Sequence, residues 1–132
     1  KSLDSGLNDQ KIWELGSGIV NSDPELAEMA MDWTEEAVRY FPESDVTNVR
    51  RGEALMKHGL YLEAIPYFDR LTNRGERNAT AAQLICKKML DQLSTEDLDK
   101  VGLVQNELKG WTEIMDKAPG EFNRELAEQL IQ

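Results

Sequence analysis

The sequence predicts an all-α protein, and three observations support this fold class. Apolar residues recur at three- and four-residue steps through most of the chain, which is the spacing of amphipathic helices. No stretch of any length has the pattern of a strand. Small residues also recur every 34 residues, as expected if the chain repeats a pair of helices and each pair packs closely at its small residues.

The central stretch, residues 51–71, has the clearest helical pattern. Gly59 is expected to end a first helix, because glycine readily adopts the left-handed conformation of a helix C-cap. Gly52 lies inside that helix, where glycine costs about 1 kcal/mol relative to alanine. Close approach of a neighbouring helix is the usual reason for such a glycine. We therefore predict a helical hairpin that packs at Gly52 and at Ala64 of the second helix.

Capping residues mark where the preceding helices begin and end. Asp23 and Pro24 suit a helix start, because aspartate caps the first amides and proline fits the first helical position. This helix is expected to end at Phe41, since the residue before a proline is pushed out of the helical region. An apolar stripe over residues 11–20 predicts one helix before this boundary.

Three more helices are predicted after the central hairpin. Ser94 and Asp97 have the spacing of a capping box, which marks a helix start. The full prediction for this part is a helix over residues 79–93 capped by Asn78, a long helix from Ser94 to Lys117, a break at residues 118–120 and a final helix over residues 121–132.

The spacing of Gly52, Leu55, Ala64 and Phe68 resembles that of a tetratricopeptide repeat, a helix–turn–helix unit of about 34 residues. One repeat earlier, Gly52 and Ala64 correspond to Gly18 and Ala30, Pro42 falls on the family's terminal proline, and Trp33 is expected to fill the large aromatic position. The resemblance implies one domain, a right-handed α–α superhelix of about three hairpins. Its parts would be residues 11–44, 45–78 and 79–117, followed by a capping helix over residues 119–132.

The charge of the chain excludes some classes of partner. The net charge is −10, and residues 1–44 alone hold 10 acidic and 3 basic residues. Nucleic-acid binding needs clustered lysine and arginine, so we expect no nucleic-acid partner. No apolar run approaches the roughly 18 residues of a membrane span, so we expect no membrane insertion. The single cysteine, Cys86, excludes an internal disulfide, which favours a cytoplasmic location slightly over a periplasmic one.

The sequence contains no pattern of residues typical of catalysis. His58 and Cys86 are the only histidine and cysteine, and these two alone cannot build a zinc site. His58 precedes the expected C-cap glycine, and Cys86 falls at a small-residue packing position, so both are given structural roles. We therefore predict no catalytic residue, no metal and no cofactor, and a protein that is not an enzyme.

The resemblance also implies a binding groove, because the first helix of each tetratricopeptide unit lines a concave face. The groove residues would be Val46, Val49, Arg50, Glu53, Lys57, Gln83 and Lys87. The basic residues among them, Arg50, Lys57 and Lys87, could receive an acidic segment or a C-terminal carboxylate. The predicted function is a non-catalytic scaffold that holds a peptide or a partner domain in this groove, within a larger assembly.

Three alternatives remain open at this point. The chain begins at Lys1 rather than methionine, so it is expected to be an excised or processed piece, and it could be a regulatory or docking region of a larger enzyme or export machine. An enzyme in its own right would require a pocket with strongly shifted pKa values. Self-association into a homodimer, through the groove or the C-terminal helix, is the third.

Overall fold

The computed structural model describes residues 2–132, with side chains described from Asp9 onward, and every regular element in that range is helical. The elements are α1 (Ser2–Ser22), a 3₁₀ turn (Pro24–Leu26), α2 (Ala27–Tyr40), α3 (Asp45–Lys57), α4 (Tyr61–Asn73), α5 (Arg77–Met89), α6 (Thr95–Val101), a second 3₁₀ turn (Gly102–Val104), α7 (Gln105–Asp116) and α8 (Arg124–Glu128). The predicted all-α class is confirmed. None of the described helices has the length and apolar character needed to cross a membrane.

The first five helices pack against their neighbours in chain order, and α1 also contacts α3. Tight turns separate them. The Ser44 hydroxyl caps α3 by accepting a hydrogen bond from the Thr47 N–H at 3.2 Å. Gly59 adopts a positive φ of 79° directly after the C-cap residue His58, as the sequence predicted.

Glycines allow the helices of the first two hairpins to approach closely. A Cβ on Gly52 would lie 2.6 Å from the Phe68 ring, so the predicted contact at this glycine is confirmed. In the first hairpin the Trp33 ring packs over a glycine in the same way, but that glycine is Gly16 and not Gly18. The predicted equivalence of Gly18 and Gly52 is therefore wrong. In the 34-residue register Phe68 corresponds to Thr34, so Trp33 lies one position earlier than the equivalent residue. The glycine that Trp33 contacts on α1 is therefore shifted as well.

The third hairpin departs from the prediction at its start and in its middle. Glu76, and not Asn78, is the residue that precedes α5, because Gly75 reverses the chain with a φ of 86° and Glu76 is extended. The Ser94 capping box is present as predicted. The long helix expected after it is broken at Gly102–Val104, so that α6 and α7 are separate helices.

The predicted helix over residues 121–132 is wrong, because α8 covers only Arg124–Glu128. The segment before α8 crosses the α3–α4 turn instead. The Gly120 N–H donates to the Lys57 carbonyl at 2.8 Å, and the Tyr61 hydroxyl donates to the Glu121 carbonyl at 2.5 Å. These bonds to the turn replace the hydrogen bonds that a longer helix would have made.

Helix α5 is the centre of the main core. Every residue from Ala81 to Cys86 is buried, which means that the helix is covered on all sides. Its packing partners are α4, α6, the second 3₁₀ turn, α7 and α8. The Phe68 and Trp111 rings meet edge to face with centroids 6.1 Å apart. A smaller cluster of Val20, Ala30 and Ala54 joins α1, α2 and α3.

Candidate binding surface

Helix α3 is bordered by two hollows and one cleft. A hollow of 430 Å³ lies between α1 and α3, and a second of 340 Å³ lies between α3 and α7. The cleft, of 380 Å³, lies where α1, α2, α3 and α7 meet. Arg50 borders both hollows, and Glu53 borders the second hollow and the cleft, so the three form one surface. We call this surface the α3 groove.

Five of the predicted groove residues border the α3 groove. Val46 lines the first hollow, and Val49 lines the second. Arg50 and Glu53 lie at the junctions, and Lys57 lines the cleft. These five residues therefore form most of the α3 side of the groove.

Gln83 and Lys87 were predicted groove residues and lie elsewhere. Gln83 is buried, and its amide donates to the Ile65 carbonyl at 2.8 Å and to the Asp69 carboxylate at 2.7 Å, both on α4. The Lys87 ammonium lies 3.3 Å from the Asp97 carboxylate. The two residues lie outside the groove because Gln83 faces α4 and Lys87 is paired with α6.

A carboxylate separates the two cations of α3, so the predicted free basic patch is absent. Glu53 is buried and lies 3.0 Å from the Arg50 guanidinium and 3.4 Å from the Lys57 ammonium. The Lys57 ammonium also donates to the Asn21 carbonyl at the end of α1. The groove is therefore close to neutral along α3, and the expectation of an acidic ligand loses its main support.

Helix α7 forms the second wall of the groove, which the sequence interpretation missed. Gly110 and Ile114 border both the second hollow and the cleft. A Cβ on Gly110 would have no atom within 4 Å, so this wall is open at the glycine. A signal was available, because Gly110 and Ile114 are four residues apart on the face opposite Leu108 and Met115.

Asn21 is a second residue that the sequence did not single out. Its side chain is only 5% exposed, and its amide nitrogen donates to the Arg50 carbonyl at 2.9 Å and to the Glu53 carboxylate at 3.3 Å. These acceptors fix the orientation of the amide. The amide oxygen, Oδ1, has no hydrogen-bond partner among the described residues. Asn21 is also one of the residues that border the cleft.

The groups with the most strongly raised pKa values lie outside the α3 groove. Burial raises the pKa of the Cys86 thiol and of the Tyr61 hydroxyl to about 12 each. Glu107 borders the second hollow, and the hydrogen bond from the Arg77 guanidinium lowers the pKa of its carboxyl. In the part of the chain that the structure describes, no group of three or more metal-ligating side chains is present.

Comparison of the chain with protein families, with curated proteins and with solved structures finds no match. The functional argument therefore depends on the α3 groove itself. Its relevant features are the exposed apolar side chains on α1, α3 and α7 and the ion-paired charges between them.

Proposed function

We propose that the protein is a non-catalytic binding module that holds a segment of a partner protein in the α3 groove. The observation that carries this proposal is the set of exposed apolar side chains along the groove. Leu15 is 67% exposed and Ile19 is 63% exposed on α1, and Val46 and Ile114 continue the apolar surface on α3 and α7. Adjacent apolar side chains rimmed by charges are typical of protein interaction sites.

We further propose that α1–α5 form a tetratricopeptide-like right-handed stack, which α7 and α8 close. Two pairs of positions 34 residues apart support this architecture. Ala30 and Ala64 are both buried, and so are Gly52 and Cys86. The additional packing of α1 against α3 is also typical of successive units in such a stack.

The shape of the groove favours a chain segment over a compact ligand. The two hollows and the cleft follow one another around α3. A peptide could place apolar side chains in successive hollows, whereas a small molecule would occupy only one of the three. The same surface would serve if the chain is a docking region of a larger enzyme or export machine.

A homodimer is a second candidate, because one observation favours it. Ile12, Leu15 and Ile19 form an exposed apolar stripe on one side of α1, with the spacing used in helix pairing. The acidic excess of residues 1–44 opposes self-association. A homodimer should therefore appear in analytical ultracentrifugation only as added salt screens this repulsion, and a monomer at all salt concentrations would exclude it.

The binding proposal can be tested with a random peptide library displayed on phage. Gly110→Leu should fill the groove without disturbing the core, because the space around the Gly110 Cβ position is open. Gly102→Leu is the matched control, since Gly102 is equally open and lies away from the groove. Selected peptides should bind Gly110→Leu at least about tenfold more weakly than the parent protein, a loss of about 1.4 kcal/mol, and bind Gly102→Leu normally. No enrichment, or equal binding to all three proteins, would overturn the proposal.

A further inference from the structure

The guanidinium of Arg50 lies flat against α1 at Gly18, and both residues border the hollow between α1 and α3. A Cβ on Gly18 would lie 3.6 Å from Nη2, 3.7 Å from Nε and 3.8 Å from the central carbon Cζ of Arg50. An edge-on approach would leave Cζ clearly farther away than the two nitrogens, because the guanidinium is planar. One broad face of the group therefore packs over the helix at a residue that has no side chain.

A buried carboxylate holds the guanidinium in this orientation. The Arg50 Nη1 donates to the Glu53 carboxylate at 3.0 Å. The Arg50 Nε and Nη2 have no hydrogen-bond partner among the described residues, and neither atom is buried. The Arg50 side chain is 41% exposed. Because α1 covers one face, the exposed part consists of the opposite face and the edge formed by Nε and Nη2.

The other side chains that shape this hollow are largely aliphatic. Leu15 and Ile19 of α1 are 67% and 63% exposed, and Val46 of α3 is 40% exposed. All three border the same hollow as the Arg50 guanidinium. A ligand in the hollow would therefore bury apolar surface around a planar, immobilised cation.

The charges at this hollow favour a neutral ligand over an ion. Arg50 is paired with Glu53, and the two other charged residues that border the hollow, Lys11 and Glu14, have opposite signs. Lys57, which also contacts Glu53, borders the cleft and not this hollow. A carboxylate would bind the edge of the guanidinium and not its face, and it would lose water against the aliphatic side chains.

We infer that this hollow binds an aromatic side chain of the partner segment, with the ring stacked on the open face of Arg50 and its edges against the aliphatic side chains. Guanidinium groups stack on aromatic faces, an attraction that an aliphatic side chain does not provide. The pair with Glu53 already fixes Arg50, so little conformational freedom is lost when a ring covers it. The inference rests on the proposed function, in which the partner segment carries the aromatic residue.

Two neutral probes of similar shape test the inference without any peptide. Benzyl alcohol and its saturated analogue cyclohexylmethanol would be titrated separately into the protein, and NMR would follow the Arg50 Nε–H and the methyl groups of Ile19 and Val46. A site that offers only apolar contact prefers cyclohexylmethanol, the more hydrophobic probe. We expect benzyl alcohol to bind roughly twofold to fivefold more tightly and its ring to shift the Arg50 signal upfield. Equal or tighter binding of cyclohexylmethanol, no binding of benzyl alcohol, or its displacement by acetate would overturn the inference.

A substitution that keeps the charge separates stacking from electrostatic attraction. Arg50→Lys retains a cation beside Glu53 but removes the planar face. It should abolish the preference for benzyl alcohol and leave cyclohexylmethanol binding nearly unchanged. Arg39→Lys is the matched control, because Arg39 is likewise paired with a glutamate three residues away, Glu36, and does not border the hollow. Equal effects of the two variants on benzyl alcohol binding would contradict a site on Arg50.

Failure of this inference can be distinguished from failure of the proposed function. Peptides selected from the library would be resynthesised with cyclohexylalanine in place of each aromatic residue, which keeps a six-membered apolar ring and removes its π face. We expect weaker binding to the parent protein and no further loss with Arg50→Lys. If the selected peptides bind equally well after this change, or contain no aromatic residue, the partner segment is supported and the aromatic site is wrong. If no peptide is selected while benzyl alcohol is preferred, the hollow is an aromatic site and the segment proposal is wrong.

Discussion

Two glycines in the interior of helices have opposite surroundings, and their substitution should have opposite effects. A Cβ on Gly52 would lie 2.6 Å from the buried Phe68 ring, whereas one on Gly110 would have no atom within 4 Å. Gly52→Ala should lower the free energy of unfolding by roughly 1–3 kcal/mol through overpacking. Gly110→Ala should raise it by about 0.5–1 kcal/mol, because alanine is the better helix former. Urea unfolding followed by circular dichroism measures both, and a change in the same direction would contradict these assignments.

The carboxylate of Asp97 should make stability depend on pH at the start of α6. Burial alone would raise the pKa of Asp97, but hydrogen bonds from the Ser94 N–H and the Lys87 ammonium outweigh it and hold the pKa below the ordinary value of 3.8. A carboxyl of this kind stabilises the folded state above its unfolded-state pKa, and the contribution is lost as pH falls through the lower folded-state value.

Asp97→Asn should therefore lower the free energy of unfolding by about 1–2 kcal/mol at neutral pH, through loss of the helix cap and of the pair with Lys87. The difference from the parent protein should shrink as the pH falls below 3.8. Urea midpoints measured between neutral and acidic pH give this comparison. Asp99→Asn, at an exposed position on the same helix, is the control and should be nearly neutral. A pH-independent effect of Asp97→Asn would argue against this role.

At the scale of elements, the C-terminal segment is held by bonds to the α3–α4 turn and to the start of α7. The Tyr61 hydroxyl donates to the Glu121 carbonyl, and the Gln105 amide donates to the Leu130 carbonyl at 2.9 Å. Gly120 lies so close to this turn that an added Cβ would be 2.4 Å from the His58 backbone. Residues far apart in the chain therefore fix the path of the last 15 residues, from Ala118 to Gln132.

Tyr61→Phe should loosen this segment while leaving the helices in place. Loss of the hydrogen bond should cost about 0.5–1.5 kcal/mol, the usual net value of such a bond. Urea unfolding measures the cost, and limited proteolysis after Arg124 should report faster cleavage. Tyr67→Phe is the control, because the Tyr67 hydroxyl has no hydrogen-bond partner among the described residues. Equal loss of stability in the two variants would show that the Tyr61 bond is not what holds the segment.

At the scale of the whole molecule, apolar burial is unevenly distributed. The main core joins α3, α4, α5, α7 and the C-terminal residues, whereas the smaller cluster at the first hairpin consists of Val20, Ala30 and Ala54. Regions with few buried apolar contacts open at lower free energy than the rest of a domain. The first hairpin should thus be the least stable part of the fold.

Native-state hydrogen exchange can test this order of stability. Amides in the middle of α2 should exchange through partial opening, at a lower free energy than amides between Ala81 and Cys86 of α5. Low concentrations of urea should leave the α2 exchange nearly unchanged and accelerate exchange in α5, since only global unfolding exposes the α5 amides. A single opening free energy for both helices would instead mean that the molecule unfolds as one unit.

The helix boundaries illustrate how far sequence reasoning extends in this chain. Gly59 and Ser94 mark an end and a start that the structure confirms, and Pro24 begins the 3₁₀ turn that leads into α2 at Ala27. Each acts through its own backbone conformation or a hydrogen bond to a residue within one turn. The predicted groove residues of α3 border the α3 groove, whereas Gln83 and Lys87 of α5 do not. The position of Gln83 depends on how α4 packs against α5, because its amide donates to Ile65 and Asp69 of α4.

The sequence alone determined the all-α class, the central hairpin and its close contact at Gly52, because periodicity and capping act over a few residues. Tertiary structure decided that α7 forms the second wall of the groove and that the chain returns over the α3–α4 turn. The second feature joins residues 60 positions apart, since the Tyr61 hydroxyl donates to the Glu121 carbonyl. Which of many such contacts form depends on how all the side chains fill one core, and no local signal encodes that choice.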